Sequence, residues 1–240
     1  MHHSLFISDL HLCASQPQLT AAFDRLLRDH APQAEALYIL GDLFEYWAGD
    51  DDLDEPLHRH VADGLRGLAE RGVRIYLMHG NRDLLMGEAL ARACGAELLP
   101  DPTLVDLYSQ PTLLSHGDAL CTDDAEYQAF RIQVRNPAWQ AQFLAQPLAQ
   151  RKAFIEQVRA QSEANKQQKT LEIMDVNADA VAALLRTHGY PRLIHGHTHR
   201  PARHVLPLDD RVCERWVLSD WGAQGHALRC DADGCQPFAF

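Results

Sequence analysis

Five short apolar runs in this chain each end, within three residues, in a side chain that can ligate a metal. Residues 5–8 lead to Asp9 and His11, residues 37–41 to Asp42, and residues 75–80 to Asn81. Residues 112–115 lead to His116, and residues 193–196 to His197 and His199. A run of about four β-prone residues bounded by Gly or Asp reads as a buried strand. In open α/β sheets, sites are built in the crevice beyond the strand ends. The pattern predicts that these seven side chains converge on one edge of one sheet. Together they form a ligand set for two divalent cations.

The spacing supports that chemistry. Asp9 and His11 flank Leu10, and alternate residues of an extended segment share a face, so a D-x-H pair leaving a strand can hold one ion. Asp42 follows Gly41, whose freedom allows a sharp turn and a carboxylate that bridges two ions. His197 and His199 can send one imidazole to each ion, Asn81 adds a carboxamide oxygen, and His116 another imidazole. Carboxylate, carboxamide and imidazole ligation without thiolate suits Mn, Fe or Zn better than Ca or Mg. Two such ions, roughly 3.5–4 Å apart, clamp a phosphoryl displacement. Taken singly, each residue has a structural reading: a core His, a helix-capping Asp, a Gly-Asn turn. Those readings fail jointly, because the same context recurs five times.

The 240 residues are enough for one large domain with a real core, and 46% hydrophobic with 23% charged residues is ordinary globular composition. No stretch approaches the ~20 apolar residues of a membrane span. The first strand begins so close to Met1 that no room is left for a signal peptide, so a cytoplasmic start is expected. Cys13, Cys94, Cys121, Cys213, Cys230 and Cys235 form no zinc or disulfide pattern and are expected to be reduced thiols. A net charge of −11 argues against nucleic acid as a partner. Its distribution is uneven. Arg131, Arg135, Arg151, Lys152, Arg159, Lys166 and Lys169 face only three acids between residues 126 and 170, and all three lysines of the chain lie there.

Along the first hundred residues, strands near 4–8, 36–40 and 73–78 alternate with helices near 18–30, 56–71 and 84–94. This argues for parallel strands with covering helices. An acidic loop at 49–55 opens the second helix. Short strands are expected at about 104–108 and 112–115. From about 123 to 188 strand signals vanish, and Pro137 and Pro147 divide a helical insertion. A strand near 192–195 resumes the sheet, and a β-rich tail follows.

The order D-x-H, G-D, G-N, H-G-D, G-H-x-H resembles the calcineurin-like metallophosphoesterases. The resemblance implies an α/β fold, a four-layer α/β/β/α sandwich forming a single domain over 1–240, with the helical segment at about 123–188 as a lid. It also implies that Asp9, His11 and His199 hold one ion, that Asn81, His116 and His197 hold the other, and that Asp42 is shared. Many members carry G-N-H, with a His able to protonate the leaving group. Here the motif is Gly80-Asn81-Arg82-Asp83. Arg cannot act as a general acid at neutral pH, but its fork can hold phosphate oxygens and stabilise transition-state charge. A leaving group that needs no proton, such as a phosphate monoester departing from a diphosphate, suits that site. The alternative for Arg82 is a surface pair with Asp83.

A narrower resemblance extends almost end to end. The strings at 7–12, 36–51, 79–83, 116–124, 172–177 and 193–202 are similar to the UDP-2,3-diacylglucosamine hydrolases of lipid A biosynthesis. The resemblance implies hydrolysis of the diphosphate by metal-activated water attacking the uridine-side phosphorus. The products would be UMP and 2,3-diacylglucosamine 1-phosphate, with two Mn2+ as cofactors. Asp42, Asn81, Arg82 and His116 would be catalytic. Substrate contacts would fall on Asn81, Arg82, Asp124, Ser162, Lys166, Lys169 and His197. Asn165 precedes Lys166, at which the family also carries Asn. Apolar residues of the insertion, among them Phe130, Trp139, Phe143 and Phe154, would form an acyl groove, with the basic residues facing anionic headgroups. The implied location is the cytoplasmic side of the bacterial inner membrane, as a peripheral protein; the sequence does not give the oligomeric state, and a monomer is favoured. The competing reading is a soluble dimetal phosphomonoesterase or nucleotide pyrophosphatase indifferent to acyl chains.

Overall fold

In a computed structural model of the chain, residues 2–166, 173 and 175–240 are described, with side chains of the α6 helix followed to residue 162. The described strands are β1 (Ser4–Ile7), β2 (Ala36–Leu40), β3 (Arg74–Met78), β4 (Ala96–Leu99), β5 (Thr103–Leu107), β6 (Gln110–Ser115), β7 (Arg192–His195), β8 (Ala202–Leu208), β9 (Arg211–Val217), β10 (His226–Asp231) and β11 (Gly234–Ala239). They form two sheets, ordered β11-β10-β1-β2-β3-β4 and β5-β6-β7-β9-β8. The helices are α1 (Pro17–Arg25), α2 (Pro56–Ala69), α3 (Glu88–Cys94), α4 (Ala125–Val134), α5 (Pro137–Leu144), α6 (Leu148–Lys166) and α7 (Ala178–Thr187). None of the described helices is long and apolar enough to cross a membrane.

Period-two alternation sorts the side chains into layers. Leu5, Ile7, Leu37, Ile39, Ile75 and Leu77 point outward from the first sheet and pack with α1, α2 and α3. Their neighbours Phe6, Ala36, Tyr38, Leu40 and Met78 point inward and meet Leu114, Ile194 and Trp216 of the second sheet. Phe6, Tyr38 and Tyr76 are in register across β1, β2 and β3. Their rings stack with centroids 4.6 Å apart, an attractive cross-strand ladder. Leu113, Leu193 and Cys213 pack outward against Val181 and Leu185 of α7. The result is the α/β/β/α sandwich, with α7 in its outer layer.

β1, β2, β3 and β4 are parallel, as are β6, β7 and β9. The carboxyl ends of β1, β2, β3, β6 and β7 open at the same end of the sandwich. The candidate ligands therefore come from the facing edges of two sheets, rather than from one edge of one sheet. The insertion's first three helices lie over that end.

The helix expected near 84–94 begins only at Glu88. Its N-cap, Gly87, has no side chain, and the cap is supplied from the acidic loop. Asp50 accepts from the N–H groups of Gly87, Ala89 and Leu90 at 2.8–3.2 Å, satisfying donors that a helix start leaves orphaned. Glu55 of the same loop caps α2 through Leu57 and His58. The short strand β4 had no counterpart in the sequence reading. Cys230 and Cys235 face each other across the β10–β11 hairpin and are joined as a disulfide, against the expectation of reduced thiols; the other four are free.

Candidate metal centre and cavity

Five of the seven candidate ligands have left-handed backbone: Asp9 (φ 56°), His11 (50°), Asp42 (53°), His197 (69°) and His199 (54°). The D-x-H and H-x-H pairs are thus not carried by extended chain, as the spacing argument assumed. Non-glycine residues rarely adopt this region, and such strain persists where the surroundings over-determine it. Asp9 N–H donates to Gly41 O at 3.1 Å and His11 N–H to Asp42 O at 3.0 Å. Leu10 between them is fully buried. At Gly41 (φ 92°) a Cβ would lie 2.6 Å from Gly80 Cα, so the loops after β2 and β3 close together only because both residues are glycine.

The carboxylate of Asp83 fastens those two loops. It accepts from the N–H groups of Gly80 (2.8 Å), Leu43 (2.8 Å) and Asp42 (3.2 Å). Asp83 is therefore committed to backbone, and Arg82 does not take the surface pairing that was its alternative role. Arg82 Nη1 instead donates to Glu45 Oε1 at 3.2 Å, and its backbone N–H holds Asp42 Oδ1 at 2.8 Å. Asp42 Oδ1 lies 3.9 Å from His116 Nε2. His116 donates its Nδ1 proton to Leu40 O at 2.9 Å, which turns Nε2 toward Asn81 Oδ1 at 3.1 Å.

Asp9 Oδ2 accepts from Ser8 Oγ (2.5 Å) and His197 N–H (2.9 Å). Its other oxygen, Oδ1, is buried with no hydrogen-bond partner among the described residues, and so is His11 Nδ1. Asp9 Oδ1 and His11 Nε2 each lie 3.4 Å from His199 Nε2. Asp9, Asp42 and His116 form a second convergence of ligand atoms. The buried, unpaired Asp9 Oδ1, with His11 Nε2 and His199 Nε2 beside it, is what a hard or borderline cation satisfies. The residues present fit divalent metal.

The charges around this centre are mutually dependent. Burial pushes Asp42 up to about 7, with the neighbouring Asp83 and Asp9 adding to the effect. Burial alone would lower His116, but Asp42, Asp9 and Asp118 outweigh it and hold it at about 9. His11 and His197 are pushed down to about 3, chiefly by burial, and so present neutral imidazoles. At pH 7 the metal-free protein thus carries on His116 Nε2 a proton that a cation must displace. Loading with Mn2+ at pH 7 is expected to release about one proton or more per protein, and the affinity should rise toward pH 9. Calorimetric titration in buffers of different ionisation enthalpy measures this; no proton release would contradict it.

Asp118, which follows His116 and Gly117, links the centre to α4. It is buried and accepts from Tyr127 Oη (2.7 Å), Arg131 Nε (2.9 Å) and Arg135 Nη2 (3.3 Å). Arg135 also reaches Gly80 O at 3.1 Å, and the Tyr127 ring stacks near His197 at 5.8 Å. The other basic residues of the insertion behave alike. Arg151, almost fully buried, pairs with Asp51, Lys152 with Asp52 at 2.6 Å, and Arg159 with Glu45. All five described basic residues of the island pair with acids of the core. These pairs dock the helices on the core, and Arg159 also lines the cavity between helices and core; the side chains of Lys166 and Lys169 lie outside the described residues.

Between these helices and the sandwich lies a cavity of about 580 Å³. Asp42, Asn81, His197 and His199 line it, as do Trp139, Phe143 and Phe154, whose rings contact one another to form an aromatic wall. Arg82, Asp124 and Ser162 also line it; Asp124 additionally caps α4 through Tyr127 N–H at 3.1 Å. Lys169 lies outside the described residues, as do the side chains of Asn165 and Lys166. The sequence reading did not single out Glu45, Asp118 or Tyr127 as site residues. Asp118 closes the H-G-D string and Glu45 sits within the string at 36–51, but nothing local marks Tyr127.

Residues 2–201 match the family model described as calcineurin-like phosphoesterase. The chain belongs to this family. A curated relative from Aromatoleum aromaticum, named UDP-2,3-diacylglucosamine hydrolase, is 58% identical over 231 residues, covering 96% of this chain and 94% of its own. A relative of the same name from Cellvibrio japonicus is 54% identical, covering 97% and 96%. A Thermotoga maritima protein solved by NMR shares the fold of this phosphoesterase, with a TM-score of 0.50 at 14% identity over 100% and 99% of the two chains.

Proposed function

We propose that this phosphoesterase hydrolyses the diphosphate of UDP-2,3-diacylglucosamine, with water attacking the uridine-side phosphorus, to give UMP and 2,3-diacylglucosamine 1-phosphate. The names of the relatives that match nearly its whole length support the reading. The observation that carries it is a cavity lined both by ligand-type side chains and by a cluster of aromatic rings. A diphosphate needs the first and acyl chains the second. A soluble phosphomonoesterase has no use for the aromatic cluster, and the names of the nearly full-length relatives disfavour a generic nucleotide pyrophosphatase.

Asp9, His11 and His199 would hold one cation and Asn81, His116 and His197 the other, with Asp42 between them; Mn2+ is the ion proposed. When bound, the pair would supply an activated water and neutralise diphosphate oxygens. Arg82 holds phosphate oxygens and takes up charge as the lipid phosphate departs. No general acid is required, because that phosphate leaves without a proton. Asn81, Arg82, Asp124, Ser162 and His197 contact substrate from the cavity wall, and Lys166 and Lys169 complete the set. The helical segment at about 123–188 acts as a lid through α4, α5 and α6. Ile132 and Leu144, apolar, exposed and outside the cavity lining, rest against the cytoplasmic face of the inner membrane, where the protein binds peripherally.

The test is UMP release from UDP-2,3-diacylglucosamine with Mn2+, beside deacylated UDP-glucosamine and an Asn81→Ala variant. Turnover that needs both Asn81 and the acyl chains is expected. Equal cleavage of the deacylated compound would leave a dimetal pyrophosphatase and remove the lipid assignment.

A further inference from the structure

Glu45 stands where three separate parts of the site meet. The loops after β1 and β2 run side by side beyond the strands, joined by a bridge between Leu12 and Phe44. Glu45 N–H extends that pairing by donating to Leu12 O at 3.0 Å. Its carboxylate is thereby laid against His11, with Oε2 3.4 Å from His11 Nδ1. The other ring nitrogen, Nε2, faces His199. The remaining oxygen, Oε1, accepts from Arg82 Nη1 at 3.2 Å and from Arg159 of α6. The side chain is only 17% exposed, so these charges are partly shielded from water.

A neutral imidazole has one N–H, and the acceptor on one nitrogen decides which nitrogen is left to bind a metal. Near His11 Nδ1 the candidates are Glu45 Oε2 at 3.4 Å and Asp42 Oδ2 at 4.0 Å. The nearer one is Glu45. Its carboxylate also accepts from two guanidinium groups, Arg82 and Arg159, both of which line the cavity.

We propose that Glu45 is a positioning residue: its carboxylate, 3.4 Å from a His11 Nδ1 that makes no hydrogen bond among the described residues, closes on metal binding to accept the Nδ1 proton, fixing His11 as an Nε2 ligand, and it holds Arg82 and Arg159 beside the metal centre. This rests on the reading of His11 as a metal ligand given above. Two variants separate its duties. Glu45→Gln keeps a carbonyl acceptor for His11 but loses the charge that pairs the arginines, whereas Glu45→Ala loses both.

Mn2+ affinity, measured by electron paramagnetic resonance on the full chain, is expected to fall about 10- to 100-fold in Glu45→Ala. Glu45→Gln should stay within about threefold of the parent in affinity, yet lose about tenfold in kcat/KM. A folded Glu45→Ala protein that binds Mn2+ as tightly as the parent would overturn the proposal. The Zn2+-loaded parent gives a second measurement that does not depend on any variant folding. Its nitrogen-15 spectrum should show the His11 proton on Nδ1, and a proton on Nε2 would equally overturn it. Mn2+ binding by a parent that releases no UMP would sink the substrate reading and leave this one standing. A parent that binds no Mn2+ would sink both.

Discussion

Replacing Asp42 by Asn is expected to abolish turnover while leaving the metal-free protein at least as stable as the parent. In the metal-free state Asp42 is fully buried beside Asp83 and Asp9, and it is pushed up to about 7. Ionising it there works against burial and like charge. Its raised pKa means that the unfolded chain loses the proton first, so the carboxylate's cost builds up as pH rises from about 4 to about 7 and is constant above that, with the charge on His116 offsetting part of it. Asn removes that cost and keeps an oxygen for the Arg82 N–H, now bonded to Asp42 Oδ1. It cannot bridge two cations. Several kcal/mol of transition-state charge stabilisation would be lost, or about 10³-fold or more in kcat/KM. Thermal unfolding with and without Mn2+, beside steady-state kinetics, checks both halves. A metal-free Tm well below the parent's, or a variant still turning over within about tenfold, would refute the assignment of Asp42 as the shared ligand.

Asp83→Ala should do the opposite, with a large cost in stability. Three backbone N–H groups from two loops end on this one buried carboxylate. Alanine leaves them unsatisfied in a space that water reaches poorly, and each costs about 1–3 kcal/mol. Allowing for local relaxation, the expected loss is about 3–5 kcal/mol, or roughly 10 °C in Tm for a chain of this size. Because the loops carry Asp42 and Asn81, metal affinity should fall as well. Asp83→Asn, which retains one acceptor oxygen, should fall between parent and Ala. Denaturant unfolding of the three proteins would test this order, and an Asp83→Ala midpoint equal to the parent's would contradict it.

The contrast between these two aspartates shows where sequence reading reaches and where it stops. Asp42 was legible because its role is written locally, as a metal-ligand residue after Gly41 at a strand end. Asp83 sits in an equally visible motif, yet its role depends on β2 and β3 being neighbours. In sequence it reads as a partner for Arg82; in space it belongs to backbone 40 residues away. The same holds for Asp50, which caps a helix 37 residues downstream. The basic island was visible as composition, but its meaning changed once Arg131 and Arg135 were found on Asp118 and Arg151 on Asp51.

The sequence by itself determined the two-faced strands, the helical segment between β6 and β7, and the residue types that meet at the strand ends. These follow from periodicity and from local chemistry, which need no knowledge of neighbours. Only the tertiary structure decided that the ligands come from two facing sheets, and that left-handed backbone rather than extended chain presents them. It alone placed Glu45 between His11 and two arginines, and closed an aromatic-walled cavity over the site. Each of those depends on contacts between residues distant in the chain, made when the loops dock and the core excludes water, and no local pattern encodes them.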